Sequence, residues 1–235
     1  MKKKSNILAV TLARGGSKSI TDKNITIIKG KPLLYYTTLE VKKSKYINDY
    51  IVSTDSKKIS SVANKLGVDT PFLRPKKLSS DKSSSVDALK HALKFMEKYK
   101  NITYDYIVEV MCTNPLKNVL DIDNCIKLIK KKKNAESVIA VHQLFDHHPA
   151  RIKKIINGKI TDFCISEKKE SRRQDLKPNA YIRSGSIYVM ERSYLLNKNS
   201  RYGGNNSFAY VLPIERAINI DTPIDLKLAE LMLKK

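Results

Sequence analysis

Through its first 141 residues the chain alternates apolar runs with amphipathic segments, and this alternation limits the possible folds more than any other feature. Residues 6–12 (NILAVTL), 50–53 (YIVS), 104–111 and 137–141 (SVIAV) are apolar runs of strand length. Between them, residues 32–43, 56–66, 84–99 and 120–131 carry apolar side chains at helical spacing, as Val86, Leu89, Ala92, Leu93 and Met96 do. A strand buried on both faces reads as an unbroken apolar run, and parallel neighbours need a return of helix length. The pattern therefore predicts an α/β fold, a mostly parallel sheet with crossover helices. After Val141 the pattern changes. Residues 142–183 are polar with short β-like pieces, and Asn157-Gly158 is a hairpin signal. An apolar strand returns at 184–190, followed by a short helix near 191–196 and a Gly/Asn-rich loop at 199–207. A strand at 208–212 and a helix at 223–233 complete the chain. We read residues 1–235 as one domain with an inserted lobe at about 142–183.

Composition removes several classes of function. Hydrophobic residues make up 41% of the chain, enough for a core and too many for a disordered tail. No apolar run approaches the ~20 residues of a membrane span. The start, MKKKSNILAVTLARGG, is basic and then apolar, but Arg14 stands where a small-residue cleavage site should follow. Cys112, Cys125 and Cys164 are odd in number and widely spaced, which argues against disulfides and structural zinc. A cytoplasmic protein is expected. The net charge of +22 raises nucleic-acid binding as a rival reading. Its lysine clusters are scattered, however, and with Trp 0 and Phe 5 the chain lacks the interleaved aromatics on which bases stack. The expected partners include no nucleic acid and no membrane.

The first strand runs directly into Ala13-Arg14-Gly15-Gly16-Ser17-Lys18, with Lys23-Asn24 a few residues on. Glycines let backbone N–H groups approach an anion, and three cations nearby suit a polyphosphate. Ligands of open parallel sheets bind beyond the carboxyl ends of the strands, where this loop falls. The loop is neither a Walker A sequence nor a dinucleotide G-x-G-x-x-G.

TLARGGSKSITDKN resembles the A-R-x-G-S-K-x-(I/L)-x-x-K-N signature of the cytidylyltransferases that activate nine-carbon acidic sugars, the CMP-sialic acid synthetases. The resemblance continues in order through IVSTDS (51–56), FLRPKKLSSD (72–81), TNPLK (113–117), DHHP (146–149), RRQDL (172–176), SGSIY (184–188) and INIDTPIDL (218–226). It implies a Rossmann-like fold of the nucleotide-diphospho-sugar transferase type, whose lobe forms a homodimer. It also implies a reaction: CTP and an acidic nonulosonic sugar give the CMP-sugar and diphosphate. Arg14, Gly15, Gly16, Ser17, Lys18, Lys23 and Asn24 match the family's triphosphate loop, and Arg74 and Ser85 its further nucleotide contacts. Arg14, Lys18, Lys23 and Asp221 are the implied catalytic residues. The family binds Mg²⁺ (or Mn²⁺) with two aspartates in I-D-I-D; here the first is Asn219 and the second Asp221. An asparagine ligates through oxygen or orients a water, without adding charge. Thr222, Pro223 and Asp225 equally make this segment a sound helix start.

On the acceptor side the resemblance implies Met111, Arg151, Arg173, Gln174 and Tyr188. Met111 stands where sialic acid enzymes typically read glutamine, so a legionaminic-type acid is favoured over N-acetylneuraminate; filling the core is its plainer role. Which of Arg172 and Arg173 faces the substrate stays open, and Tyr188 also suits a strand interior. His147 and His148 lack a third ligand at metal-like spacing and read as turn or interface residues. Pseudaminate and Kdo are rival acceptors. The Kdo enzymes resemble A-R-x-x-S-x-R-L-P-x-K-P in the first loop, from which Lys23-Asn24 departs.

Overall fold

The computed structural model describes residues 5–17, 19–166 and 172–233. The chain runs from β1 (Ile7–Leu12) through a short hairpin, β2 (Ile27–Ile28) and β3 (Lys31–Pro32), into α1 (Leu33–Lys42). β4 (Asp49–Ser53), α2 (Lys57–Lys65), α3 (Ser85–Lys100), β5 (Tyr106–Val110), α4 (Val119–Lys131) and β6 (Ser137–Leu144) follow. The second half supplies β7 (Lys153–Ile156), β8 (Lys159–Asp162), β9 (Ala180–Glu191), α5 (Arg192–Lys198), β10 (Ser207–Val211) and α6 (Pro223–Met232). Helix starts follow local chemistry: Ser56 caps α2, and Asn118 with Asp121, like Thr222 with Asp225, forms a reciprocal capping box.

The central sheet has six strands in the order β10-β6-β9-β5-β1-β4. All run parallel except β9, which lies antiparallel between β5 and β6. The expected mostly parallel sheet is therefore present. Alternate β1 residues serve opposite layers: Ile7 and Ala9 pack with Ile122, Cys125, Ile126 and Ile129 of α4, and Leu8 and Val10 with Leu89, Leu93 and Met96 of α3. From β1 the chain moves out to β4, then crosses to β5 on the other side. This places a topological switch point between β1 and β5, with the carboxyl ends of three strands around it.

Beyond the sheet, β6 and β9 continue as a two-stranded ladder, pairing His142 with Ile182 and Leu144 with Ala180. The chain leaves this ladder after Leu144 and rejoins it at Ala180. The intervening segment carries the antiparallel β7–β8 hairpin. Its turn is Asn157-Gly158, both at positive φ (49° and 75°), the backbone that an Asn-Gly pair adopts at little cost. Ile155, Ile160 and Phe163 of this lobe are exposed.

Candidate active site

A cavity of about 470 Å³ opens at the switch point. Arg14, Ser17, Lys23, Asn24, Arg74, Ser85, Met111 and Asp221 all line it. These expected residues come from five separate stretches of chain. Lys18 lies outside the described residues.

The glycine loop is built from its neighbours. Asn24 is buried; its Nδ2 donates to the Arg14 carbonyl at 2.9 Å, and its Oδ1 accepts from Cys112 Sγ at 2.9 Å. The loop is thereby tied to the end of β5. A Cβ on Gly15 would lie 3.1 Å from Ser56 Cβ, so close packing, more than backbone freedom, favours glycine there. The Gly15 N–H donates to Asp55 Oδ1 at 3.0 Å. That amide, which the sequence assigns to phosphate, is taken by a carboxylate of the S-T-D motif. Gly16 meets no such constraint. Arg14 itself pairs with Asp81 across the cavity at 2.7 Å.

Arg74 is positioned by its backbone N–H, which donates to Thr54 O at 2.7 Å just past β4. Its side chain is 4% exposed, with Nε on Ser79 Oγ at 3.1 Å and Asp55 4.0 Å from Nη2. Burial lowers this guanidinium's pKa, opposed by the attraction of Asp55. Ser83, Ser84 and Ser85, at the start of α3, bring hydroxyls and a helix N-terminus to the same wall.

Across the cavity, Lys23 Nζ donates to Ile220 O and to Asp221 Oδ1, both at 2.9 Å. Asn219 Nδ2 donates to Asp221 Oδ2 at 2.6 Å. The amide therefore steadies the carboxylate, while Asn219 Oδ1 is buried without a partner. The amide group packs on Gly185, where a Cβ would lie 3.0 Å from it. Among the described residues no cluster of three or more His, Cys, Asp or Glu could hold a metal ion. One carboxylate beside a nucleotide site still fits Mg²⁺, which commonly takes one or two carboxylates and completes its shell with phosphate oxygens and water.

Two buried charged groups, Lys117 beneath the cavity and Glu109 in its lining, were given no role by the sequence. Lys117 is 2% exposed, and its Nζ donates to Thr37 Oγ1 at 2.7 Å, to Met111 O at 2.6 Å, and to Asn114 O. Burial pushes its pKa down to about 7. Thr113 O of the same loop accepts from Ile220 N at 2.7 Å. The loop after β5 thus contacts the glycine loop through Cys112 and the Asp221 segment through Thr113. Glu109, also buried, lines the cavity and pairs with Arg201 at 2.7 Å. An apolar run containing one acid was the only available signal for Glu109.

The other acceptor-side candidates do not join this cavity within one chain. Tyr188 is buried in β9 with the Arg201 guanidinium 4.4 Å from its ring centroid. Arg173 and Gln174 line a second cavity, of about 590 Å³, in the lobe. There Arg173 pairs with Asp146 at 3.3 Å and stacks on Phe145, whereas Arg172 turns to Asp175. Arg151 is exposed in a short 3-10 turn. His148 bonds Pro178 O and Ala150 N, the turn role expected of it.

A switch-point cavity walled by a glycine loop, arginines, a helix N-terminus and one carboxylate is the site of a nucleotidyltransferase. The model of the cytidylyltransferase family matches residues 8–193, and the chain belongs to that family. It is 31% identical over 230 residues to a pseudaminic acid cytidylyltransferase of Campylobacter jejuni, covering 97% of this chain and 96% of the relative. It is 28% identical over 233 residues to a CMP-N,N'-diacetyllegionaminic acid synthase of Campylobacter jejuni, covering 97% and 95%. Among solved structures, CMP:2-keto-3-deoxy-manno-octonic acid synthetase complexed with CTP superposes with a TM-score of 0.68 at 16% identity. That match covers 97% of this chain and 98% of the other, and it establishes the fold.

Proposed function

We propose that the chain transfers a cytidylyl group from CTP to a nonulosonic acid of the sialic or legionaminic type, releasing diphosphate. The observation that carries this reading is the convergence of Arg14, Lys23, Arg74 and Asp221 on one switch-point cavity. The anomeric hydroxyl of the sugar attacks the α-phosphorus; its bond to phosphorus forms as the bond to the bridging oxygen of diphosphate breaks, and the hydroxyl proton passes to solvent. Arg14 and Lys23 neutralise the triphosphate and hold it for in-line displacement. Arg74 and the start of α3 bind the rest of the nucleotide. Asp221, steadied by Lys23 and Asn219, orients the attacking hydroxyl. Asp221 would hold Mg²⁺ (or Mn²⁺), which supplies charge neutralisation on the phosphates and acidifies a bound hydroxyl. The lobe pairs two copies and delivers Arg173 and Gln174 to the partner's acceptor end. A pseudaminic acid acceptor is a second reading, favoured by the 31% identical relative.

Incubation with CTP, Mg²⁺ and a panel of nonulosonic acids, read as diphosphate release, tests the proposal. Release is expected with CTP over ATP, UTP and GTP, and none without metal. Arg14→Ala and Asp221→Ala should each lower kcat by about a hundredfold or more with the fold intact. Silence across the panel at neutral and alkaline pH would sink the assignment.

A further inference from the structure

The proposed mechanism gives no role to the most deeply buried carboxylate of the cavity, Glu109. Glu109 lies on β5 two residues before Met111, so both side chains leave the same face of the strand, and both line the cavity. Its side chain is 2% exposed. A carboxylate so deeply buried is costly unless paired, and here the partner comes from outside the cavity. Arg201, in the loop joining α5 to β10, donates from Nη1 to Oε2 at 2.7 Å. The same guanidinium lies over Tyr188, which is the register partner of Glu109 across β5 and β9. Among the described residues Arg201 is the only hydrogen-bond and ion-pair partner of Glu109. The acid is thus neutralised from behind while it faces the cavity.

An ionised carboxylate only accepts hydrogen bonds. Most of the lining is the reverse, with Arg14, Lys23, Arg74 and several serines offering donors to an anion. At this position a carboxylate repels phosphate and the sugar's own carboxylate, and it favours a neutral N–H. Both substrates of the reaction proposed above carry such a group. Carboxylates accept readily from the exocyclic amine of cytosine, and an acylamino N–H is equivalent chemistry.

We propose that Glu109, backed by Arg201, is a specificity-determining acceptor for a substrate N–H group, supplied by the exocyclic amine of the base or by an acylamino substituent of the sugar. This inference rests on the cytidylyl-transfer reading.

The test measures selectivity ratios, in which the fraction of folded enzyme cancels. In one arm, CTP and UTP are titrated calorimetrically without acceptor. In the other, kcat/KM is compared between N-acetylneuraminic acid or N,N'-diacetyllegionaminic acid and the 5-hydroxy counterpart of N-acetylneuraminic acid. Glu109→Gln offers either an oxygen or an NH₂ group, so it should lower the relevant ratio at least tenfold. A drop in the first arm assigns the base, and a drop in the second assigns the sugar. Glu109→Asp, which keeps the charge opposite Arg201, should lower the same ratio several-fold and decides the matter if the glutamine variant does not fold. Both ratios within twofold of wild type would overturn the role of Glu109. No diphosphate release by the wild type would instead overturn cytidylyl transfer, leaving the nucleotide arm to stand on its own.

Discussion

Lys117 shows how one buried side chain organises a site it does not line. Its ammonium closes on two carbonyls of the loop after β5 and on Thr37 of α1, fixing the backbone that presents Met111 and Thr113 to the cavity. Replacing it with methionine removes the donor to Asn114 O, at roughly 1–3 kcal/mol if that carbonyl stays dry, while Thr37 Oγ1 still reaches Met111 O at 3.4 Å. Its lowered pKa, about 7 through burial, adds a pH dependence. Between pH 7 and about 10 the unfolded chain binds a proton that the folded chain has lost, so stability from this group rises with pH through that window. Denaturant midpoints of wild type and Lys117→Met should therefore diverge from pH 6.5 to pH 9, with wild type gaining. A constant gap would place the titration elsewhere. Sequence reading located Arg14, Lys23, Arg74 and Asp221 because their chemistry sits in short local motifs. It quoted Lys117 within TNPLK and gave neither it nor Glu109 a role of its own, because burial and partners far away in sequence decide both, Arg201 lying 92 residues from Glu109.

Among the elements, the two strands flanking the switch point were legible as apolar runs, but the direction of β9 was not. Periodicity reports which faces are buried and is silent on whether a neighbour runs parallel or antiparallel. The antiparallel insertion of β9 has a local consequence at Gly185. Its φ is +60°, close to the register shift between Ile139 and Val141, and the Asn219 amide packs directly on its Cα side. Ser184 beside it donates to Ala140 O at 2.9 Å and holds the irregular pairing in place. A side chain at 185 would meet both a backbone cost of about 1–2 kcal/mol and a collision with the amide that steadies Asp221. Gly185→Ala should lower Tm by several degrees and reduce kcat more than it raises the KM for CTP. Wild-type kinetics in a variant of lowered Tm would show that the Asn219–Asp221 contact has no part in turnover.

At the scale of the whole molecule, a net charge of +22 surrounds a cavity lined by arginines and lysine, and such a positive field favours the approach of anions. With only nine arginines in the chain, those on motifs were informative, while the many lysines mark the solvent face. The lobe departs from this charged surface. Ile155, Ile160 and Phe163 are 75%, 72% and 61% exposed on and beside a hairpin of two short strands, a unit with little stability of its own. Contiguous apolar surface of this kind marks an interaction site. The lobe also carries Arg173 and Gln174 away from the main cavity of its own chain. In the pairing proposed above, a second copy would cover the hairpin, bury the isoleucines and turn this displaced pair of polar side chains toward a neighbouring site. Ile155→Lys combined with Ile160→Lys places two further charges on that surface and should convert a dimer to monomers in light-scattering measurements. Because the substituted side chains are exposed, the fold should survive. If the neighbour supplies Arg173 and Gln174, KM for the sugar should rise by about tenfold or more while the affinity for CTP is kept, since every nucleotide contact named above lies within one chain. A double variant that stays dimeric, or a monomer with an unchanged KM for the sugar, would exclude this role for the lobe.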